Sequence, residues 1–262
     1  MYDFLRVLLT DKTGGEIFTL FGAWHFFYVA LTVVTVVVMV LCFKHQREHA
    51  KRKAARVFIN VAFTMYMADF FLMPLAYGEI YVDKLPFHAC TAMCVLCFFS
   101  AHHCFLEKHR RSFVLLGLIS NVIYLLYPAG VMWYAVHPLS YRVIQTMLFH
   151  SVMTMYGVLT LILEYDKFEI KKCYRDFAVV VLMTIWALLG NYAYSGLEEG
   201  GFNWFFVVRD PFYMIPESVS RFLMPPINIA AFAVMEFLIH LVIYGVQRRK
   251  RMNLVSNRSR QG

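Results

Sequence analysis

The sequence predicts an all-α, polytopic membrane protein with seven transmembrane helices, its N-terminus outside and its C-terminus inside. Of its 262 residues, 60% are apolar and 16% are charged, whereas soluble domains have about 45–50% apolar and about 25% charged residues. Intervals without Asp, Glu, Lys or Arg recur along the chain, and each suits the roughly 20 residues that cross a bilayer. The formal net charge of +8 is concentrated in alternate connections.

Seven apolar intervals define the predicted spans. In chain order they are 18–43, 57–77, 86–106, 113–136, 143–163, 177–196 and 222–246. The second contains Asp69 and the last contains Glu236. We expect His137-Pro138 to end the fourth, because proline blocks helix continuation.

The remaining segments complete one predicted transmembrane domain over residues 1–262. Residues 1–17 are expected to lie at the outer interface and residues 247–262 to form a basic cytoplasmic tail. Residues 197–221 form a predicted outer loop that contains six aromatic residues. So many rings are atypical of a solvated loop, and we expect the segment to fold over the mouth of the bundle.

Lys and Arg set the predicted orientation. Four connections hold 6, 3, 4 and 6 of them, which is 19 of the 25: 44–56, 107–112, 164–176 and 247–262. The positive-inside rule makes these connections cytoplasmic. The basic charge is thereby explained by topology, so no nucleic-acid partner is expected.

Four cysteines follow one stripe of the predicted third span. Cys90, Cys94, Cys97 and Cys104 have relative positions 0, 4, 7 and 14. Such a small-residue stripe favours close helix packing. Cysteines on one straight helix rarely converge on a metal, so neither a metal site nor a cofactor is predicted.

Ionisable residues within the spans carry the functional signal, since burying one costs about 2.5–3.5 kcal/mol on insertion scales. At about 1.5 Å of rise per residue, His25, Asp69, His88, His150 and Asn191 all fall in the outer half. They form either a shared pocket or separate packing contacts. Glu236 and His240, one turn apart in the inner half, are expected to satisfy each other.

A shared pocket would suit general acid–base chemistry, with Asp69 orienting a histidine ring and Cys90 or Thr91 as nucleophile. Positions 88 and 90 lie about 200° apart on an ideal helix. His88 and Cys90 therefore cannot both face one pocket unless Pro86 loosens the helix start. The pattern favours His88 with Thr91, or Cys90 with His150.

Several short motifs resemble a known family. LPFHAC at 85–90, LFHSVMTMYG at 148–157, NYAY at 191–194 and WH at 24–25 are similar to the landmarks of the YwaF family of bacterial integral membrane proteins. Its animal relative, transmembrane protein 164, is regarded as a phospholipid acyltransferase. DPFY at 210–213 resembles that relative as well.

The resemblance implies a seven-span, lipid-handling membrane protein with His150 as the active-site histidine and His88 as the Pro-X-His histidine. The animal relative has its proposed catalytic cysteine immediately before that histidine, where this chain has Phe87 and then Cys90. The predicted catalytic set is therefore His150, Cys90, His88, Thr91 and Asp69. The predicted substrate pocket comprises His25, Asn191, Tyr192, Asp210 and Tyr213.

Two function classes follow from these patterns. One is an acyltransferase or lipid hydrolase of the cell membrane, acting on phospholipid or lysophospholipid from an outer-leaflet pocket with a histidine base. The other is a transporter, channel or small-ligand sensor that uses the same polar cluster and extends it to Glu236 and His240. A retinal protein is excluded because span 222–246 lacks lysine, while a metal bound by Asp69, His150 and another histidine stays open.

Overall fold

The structure, a computed structural model, contains helices and no β-strand in the residues that it describes. These are residues 15–77, 82–132, 135–161, 163, 173–197, 202–212 and 214–259. The α-helices are α1 (Ala23–Phe43), α2 (Glu48–Tyr77), α3 (Ala89–His102), α4 (Cys104–Glu107), α5 (Arg110–Leu126), α6 (Ala129–Met132), α7 (Tyr141–Leu161), α8 (Cys173–Ala193) and α9 (Glu217–Ser259). Short 3₁₀ helices occupy Val82–Lys84 and Trp204–Phe206.

Six of the described helical segments are long and apolar enough to cross a membrane. They are Ala23–Phe43, Glu48–Pro74, Arg110–Met132, Tyr141–Leu161, Cys173–Ala193 and Glu217–Gln247. The predicted all-α, multi-span architecture is confirmed. The number seven and the orientation stay predictions.

The predicted third span differs from expectation. Helix α3 has 14 residues, or about 21 Å at 1.5 Å per residue, and is shorter than the roughly 30 Å hydrocarbon core. It begins only at Ala89 because His88 is extended (φ −78°, ψ 144°), and it ends where His103 is extended (φ −119°, ψ 125°). Helix α4 continues the segment beyond that break.

The fourth predicted helix ends earlier than residue 136. Helix α5 stops at Leu126 and Tyr127 leaves helical geometry (φ −139°, ψ 80°). Proline disfavours helical conformation in the preceding residue and supplies no N–H, so Pro128 breaks the helix. The expected stop at His137-Pro138 is therefore wrong.

Helices α5 and α7 form the centre of the bundle. They pack against each other, with α3 and α8 also against α5, and α1 and α2 also against α7. Close approach requires Gly157 in α7, because a Cβ there would lie 2.8 Å from the Cβ of Leu118. Helices α1 and α9 are peripheral and expose many apolar side chains, as expected where a bundle faces lipid.

The cysteine stripe is partly a packing surface. Cys94 and Cys97 are fully buried in the main core, in agreement with close packing of α3. Cys90 is only half-buried.

His240 of the inner ionisable pair contacts a carboxylate of another helix. His240 Nε2 lies 2.6 Å from Asp176 Oδ2 of α8, with both side chains almost fully buried. Glu236 is buried as well, and its Oε1 has no hydrogen-bond partner among the described residues. Helix α8 thus brings a carboxylate into contact with the imidazole from across the interface, and the pairing of His240 with Glu236 stays a prediction.

Candidate functional site

A cavity of about 120 Å³ lies near the Trp204–Phe206 segment, at what we call the loop end of the bundle. Its lining residues come from α2, the 82–91 segment, α5, α6, α7 and the loop that holds Phe206. They are Tyr66, Asp69, Asp83, Lys84, His88, Cys90, Thr91, Tyr124, Gly130, Arg142, Gln145, Thr146, Phe149, His150 and Phe206. The five side chains of the predicted catalytic set thus border one space.

His88 and Cys90 both border this cavity because His88 is not helical. As the extended residue before α3, it escapes the roughly 100° rotation per residue that would separate positions 88 and 90. Pro86 precedes this irregular start, as the exception in the prediction required.

His150 is held in one orientation and one tautomer. Its Nδ1 lies 2.6 Å from Asn121 Oδ1, and Asn121 Nδ2 donates to the Gly117 carbonyl at 2.6 Å. Because the amide oxygen only accepts, Nδ1 of a neutral His150 ring carries the proton and Nε2 keeps its lone pair. The Tyr124 ring stacks on the imidazole at 3.8 Å between centroids.

Asp69 contacts a lysine rather than a histidine. Its Oδ2 lies 2.7 Å from Lys84 Nζ, so Asn121 supplies the orienting contact that was predicted for Asp69. Tyr66 donates its hydroxyl to the Lys84 carbonyl at 2.9 Å, which ties α2 to the segment before α3.

His88 has an acidic neighbour as well. Its Nε2 lies 3.7 Å from Asp83 Oδ1. Partial burial acts to raise the pKa of Asp83, but the hydrogen bond and charge of His88 and the charge of Lys84 outweigh it and hold that pKa below its ordinary value. With the buried Arg142, the lining combines two cations, two carboxylates and two imidazoles.

The two candidate nucleophiles differ in their engagement. Thr91 Oγ1 donates to the His88 carbonyl at 3.1 Å, as hydroxyls often do within helices. Cys90 is a free thiol. The Thr91 hydroxyl proton is thus engaged by the backbone, whereas the Cys90 thiol is in no disulfide.

The Trp204–Phe206 segment closes one side of the cavity. Phe205 N–H donates to His88 Nδ1 at 3.4 Å, and Phe206 borders the cavity. Asn191 forms two hydrogen bonds with the same segment. Its Nδ2 donates to the Trp204 carbonyl at 3.1 Å and its Oδ1 accepts from the Trp204 amide at 3.0 Å. Phe205 and Phe206 both have positive φ values, 57° and 52°, a strained state that such contacts must maintain.

Comparison with known families decides the relationship. A model described as TMEM164 family matches residues 20–245. The chain belongs to the TMEM164 family. A search of curated proteins and a search of solved structures each found no match.

The TMEM164 match agrees with one part of the predicted resemblance and covers the cavity and both ends of the bundle. The Pro-X-His histidine of the resemblance, His88, borders the cavity, as does His150.

Phe87, which stands where the TMEM164-like pattern has cysteine, points away from the cavity lining. Its ring is buried between Trp186 and Trp204, each at 4.8 Å between centroids, and lies against Gly190. The position before His88 is thus an aromatic packing position, whereas Cys90 borders the cavity.

Four predicted pocket residues lie elsewhere in this TMEM164-family chain. His25 accepts from the Phe21 amide at 3.1 Å and donates to the Leu125 carbonyl at 2.8 Å, so both ring nitrogens are used in packing α1 against the end of α5. Asn191 anchors the loop as described above, and Tyr192 is 83% exposed. These three residues do not line the cavity, because depth along a helix does not specify the face on which a side chain lies.

Asp210 also has a structural role. Its carboxylate accepts backbone N–H groups from Phe212, Met214 and Ile215 at 2.7–3.0 Å, and these bonds, that of Phe212 foremost, hold the pKa of Asp210 below its ordinary value. The fifth pocket prediction, Tyr213, lies outside the described residues. No group of three His, Cys, Asp or Glu among the described residues is arranged to bind a metal.

Sequence analysis missed Asn121, Asp83, Lys84 and Arg142. Asn121 is the only amide side chain in the interval 113–136, and that was its available signal. The other three lie at the ends of apolar intervals, where charge is ordinary and carries no special signal.

Proposed function

We propose that this protein is an integral membrane enzyme of the cell membrane that transfers or hydrolyses the acyl chains of phospholipids. The observation that carries the proposal is the His150–Asn121 hydrogen bond beside a cavity that Cys90 also borders. A base oriented by a third group, near a thiol, has the components of nucleophilic catalysis.

In the first step, His150 Nε2 takes the proton of the Cys90 thiol and Sγ attacks the ester carbonyl carbon of a phospholipid. The tetrahedral intermediate collapses, the C–O bond breaks, and His150 returns the proton to the departing lysophospholipid oxygen. The product is a thioester between Cys90 and the acyl chain.

In the second step, His150 deprotonates the hydroxyl of a different lysophospholipid, whose oxygen attacks the thioester. A new ester forms, the C–S bond breaks, and the proton returns to Cys90. Water in place of the lysophospholipid gives hydrolysis, so the exclusion of water decides between transferase and hydrolase.

The charged residues suit a zwitterionic lipid. Arg142 and Lys84 provide positive charge for a phosphate or for the oxyanion of the intermediate, and Asp69 and Asp83 balance it. Such mixed lining favours the phospholipid class over an uncharged ester.

We also propose seven crossings within a single domain, with the N-terminus outside. The segment from Ala89 to Glu107, interrupted at His103, would supply the seventh alongside the six long helices. The four basic connections then share the cytoplasmic side, and the cavity opens towards the outer leaflet.

A transport function would need a path between the two polar regions. Neither Glu236 nor His240 borders the cavity, and both belong to the buried interface of α8 and α9. This favours the enzymatic proposal over the transporter alternative.

The proposal is tested by reconstituting purified protein with lysophospholipid and an isotopically labelled diacyl phospholipid donor. We expect labelled transfer product, or labelled fatty acid, from the wild type and none from His150→Ala or Cys90→Ala. Mass spectrometry of the quenched enzyme should find the acyl mass on the peptide that contains Cys90, and hydroxylamine should remove it.

Cys94→Ala is the matched control, because Cys94 lies one turn away on α3 but is sealed in the core. It should retain turnover. Full turnover by correctly inserted Cys90→Ala would refute the acyl-enzyme, and the absence of any labelled product from the wild type would refute the enzymatic proposal.

A further inference from the structure

A second cavity lies beside the same helix that carries Cys90. It is an apolar groove of about 410 Å³ between α3, α5 and α8. Met93 and Leu96 contribute from α3, Phe113 from α5, and Leu182, Met183 and Trp186 from α8. Almost no polar atom borders it, so its walls complement a hydrocarbon and offer nothing to a headgroup.

The groove opens on a lipid-facing surface. Leu182 and Trp186 line it and are 64% and 44% exposed on α8. In a bilayer these exposed apolar side chains contact acyl chains. A lipid tail can therefore enter sideways from the membrane without crossing water.

The groove and the catalytic cavity are both lined by the segment that runs from Pro86 into α3, although no residue lines both. Trp186 Nε1 donates to the Pro86 carbonyl at 2.7 Å, and Pro86 is itself part of the groove wall. Two residues later, His88 borders the catalytic cavity. Helix α3 thus contributes Cys90 and Thr91 to one space and Met93 and Leu96 to the other.

The volumes of the two cavities suit different parts of a lipid. The catalytic cavity has only about 120 Å³, and charged and imidazole side chains are among its lining residues, which suits an ester and the groups attached to it but not a long hydrocarbon. The groove has more than three times that space and no charge.

We propose that the groove binds the acyl chain of the phospholipid whose ester reacts at Cys90. This inference rests on the proposed function. It adds that the enzyme selects its substrate by chain as well as by headgroup, and that the chain comes directly from the surrounding bilayer.

The test is photolabelling with a diacyl phospholipid that carries a diazirine midway along one acyl chain. The full-length protein is reconstituted in vesicles containing this lipid, irradiated without any lysophospholipid acceptor, and mapped by mass spectrometry. We expect label to concentrate on Met93, Leu96 and Met183. Labelling of these residues should exceed severalfold that of Leu189, which is 57% exposed on α8 but outside the groove.

Leu182→Trp and Leu189→Trp form a matched pair, because both enlarge an exposed leucine of α8 and only Leu182 lines the groove. Leu182→Trp should lower labelling of Met93 and Met183 severalfold, and Leu189→Trp should leave it unchanged. Equal labelling at Leu189 in the wild type, indifference to Leu182→Trp, or protein–protein cross-links from a second copy in place of lipid label would each overturn the proposal.

This readout is independent of turnover. Preferential labelling of the groove in a protein that transfers no acyl chain would refute the proposed activity and leave a lipid site. Acyl transfer without preferential labelling would refute only the groove.

Discussion

The loop-end cavity and the Asp176–Glu236–His240 cluster are two places in the described part of the bundle where several ionisable groups lie together, and they differ in what surrounds them. At the loop end, charged and imidazole groups border about 120 Å³ of space. In the cluster, Asp176 and His240 meet at 2.6 Å with almost no exposure. Ionisable residues inside the bundle therefore mark two kinds of site. Open space beside them makes the loop end a candidate for binding or chemistry, and its absence makes the cluster a structural contact.

The largest expected effect falls on the stability of the cluster. His240→Ala leaves Asp176 buried without its imidazole, and breaking a buried pair in this way costs about 3–5 kcal/mol. The free energy of unfolding, measured in detergent by denaturant titration, should fall by that amount. His45→Ala, at an exposed position, should leave it unchanged.

A double variant sharpens this test. Asp176→Leu combined with His240→Leu removes both charges together, and apolar replacement of a whole buried pair is often neutral or stabilising. The double variant should therefore be more stable than His240→Ala. If the double variant is equally unstable, the two side chains contribute more to stability than the pairing of their charges. The cluster would then differ less clearly from the cavity.

The next effect concerns catalysis. Asn121→Ala removes the acceptor of His150 Nδ1 and leaves a buried donor unsatisfied, at a cost of about 1–3 kcal/mol. We expect kcat to fall by about fivefold to about 150-fold, as that cost converts, while KM changes little, because Asn121 positions the base and does not border the cavity.

Asn60→Ala provides the matched control. Asn60 Oδ1 lies 2.8 Å from His102 Nε2 at an exposed site, so the same chemistry is lost far from the cavity. Equal losses of kcat in both variants would contradict a positioning role for Asn121.

The smallest effect is a pH response of the loop. Three backbone N–H groups stabilise the ionised Asp210 and lower its pKa. Its stabilising contribution is therefore complete above the ordinary carboxyl pKa of about 4 and is lost as pH falls through the lower native value. Hydrogen exchange at Phe212, Met214 and Ile215 should be constant from neutral pH down to that range, once corrected for intrinsic rates, and protection should decrease below it.

Asp210→Asn removes the titrating group, so its exchange protection should be lower than in the wild type and insensitive to pH. Unchanged protection in the wild type at low pH would contradict this role of Asp210 and would show that other contacts, including those of Asn191 and Asn228, hold the loop. Both contact the Trp204–Phe206 segment through its backbone.

The sequence was sufficient to predict the helical membrane architecture, because length and polarity determine which segments suit a bilayer. It also identified His150, His88 and Cys90 as notable, since polar groups in apolar spans are costly. It did not separate His150 from His25, which lie at similar predicted depths. His150 borders a cavity, whereas both ring nitrogens of His25 contact backbone atoms. That difference depends on how each helix is rotated against its neighbours.

The contacts of Asp69 and His240 could not be predicted from the sequence for a related reason. Local spacing suggested partners on the same helix or among the histidines, while the actual contacts of Asp69 and His240 come from Lys84 and Asp176 on other segments. Long-range pairing is a property of the packed bundle.

The Phe87 ring occupies the space that a side chain at position 190 would need. A ring occupies it from the α3 side, and only the absence of a side chain on α8 permits that. A smaller residue in place of Phe87 would leave much of this volume empty, and a larger residue at the position of Gly190 would then be tolerated. The two positions should therefore covary across TMEM164-family sequences, a large side chain at one accompanying a small one at the other.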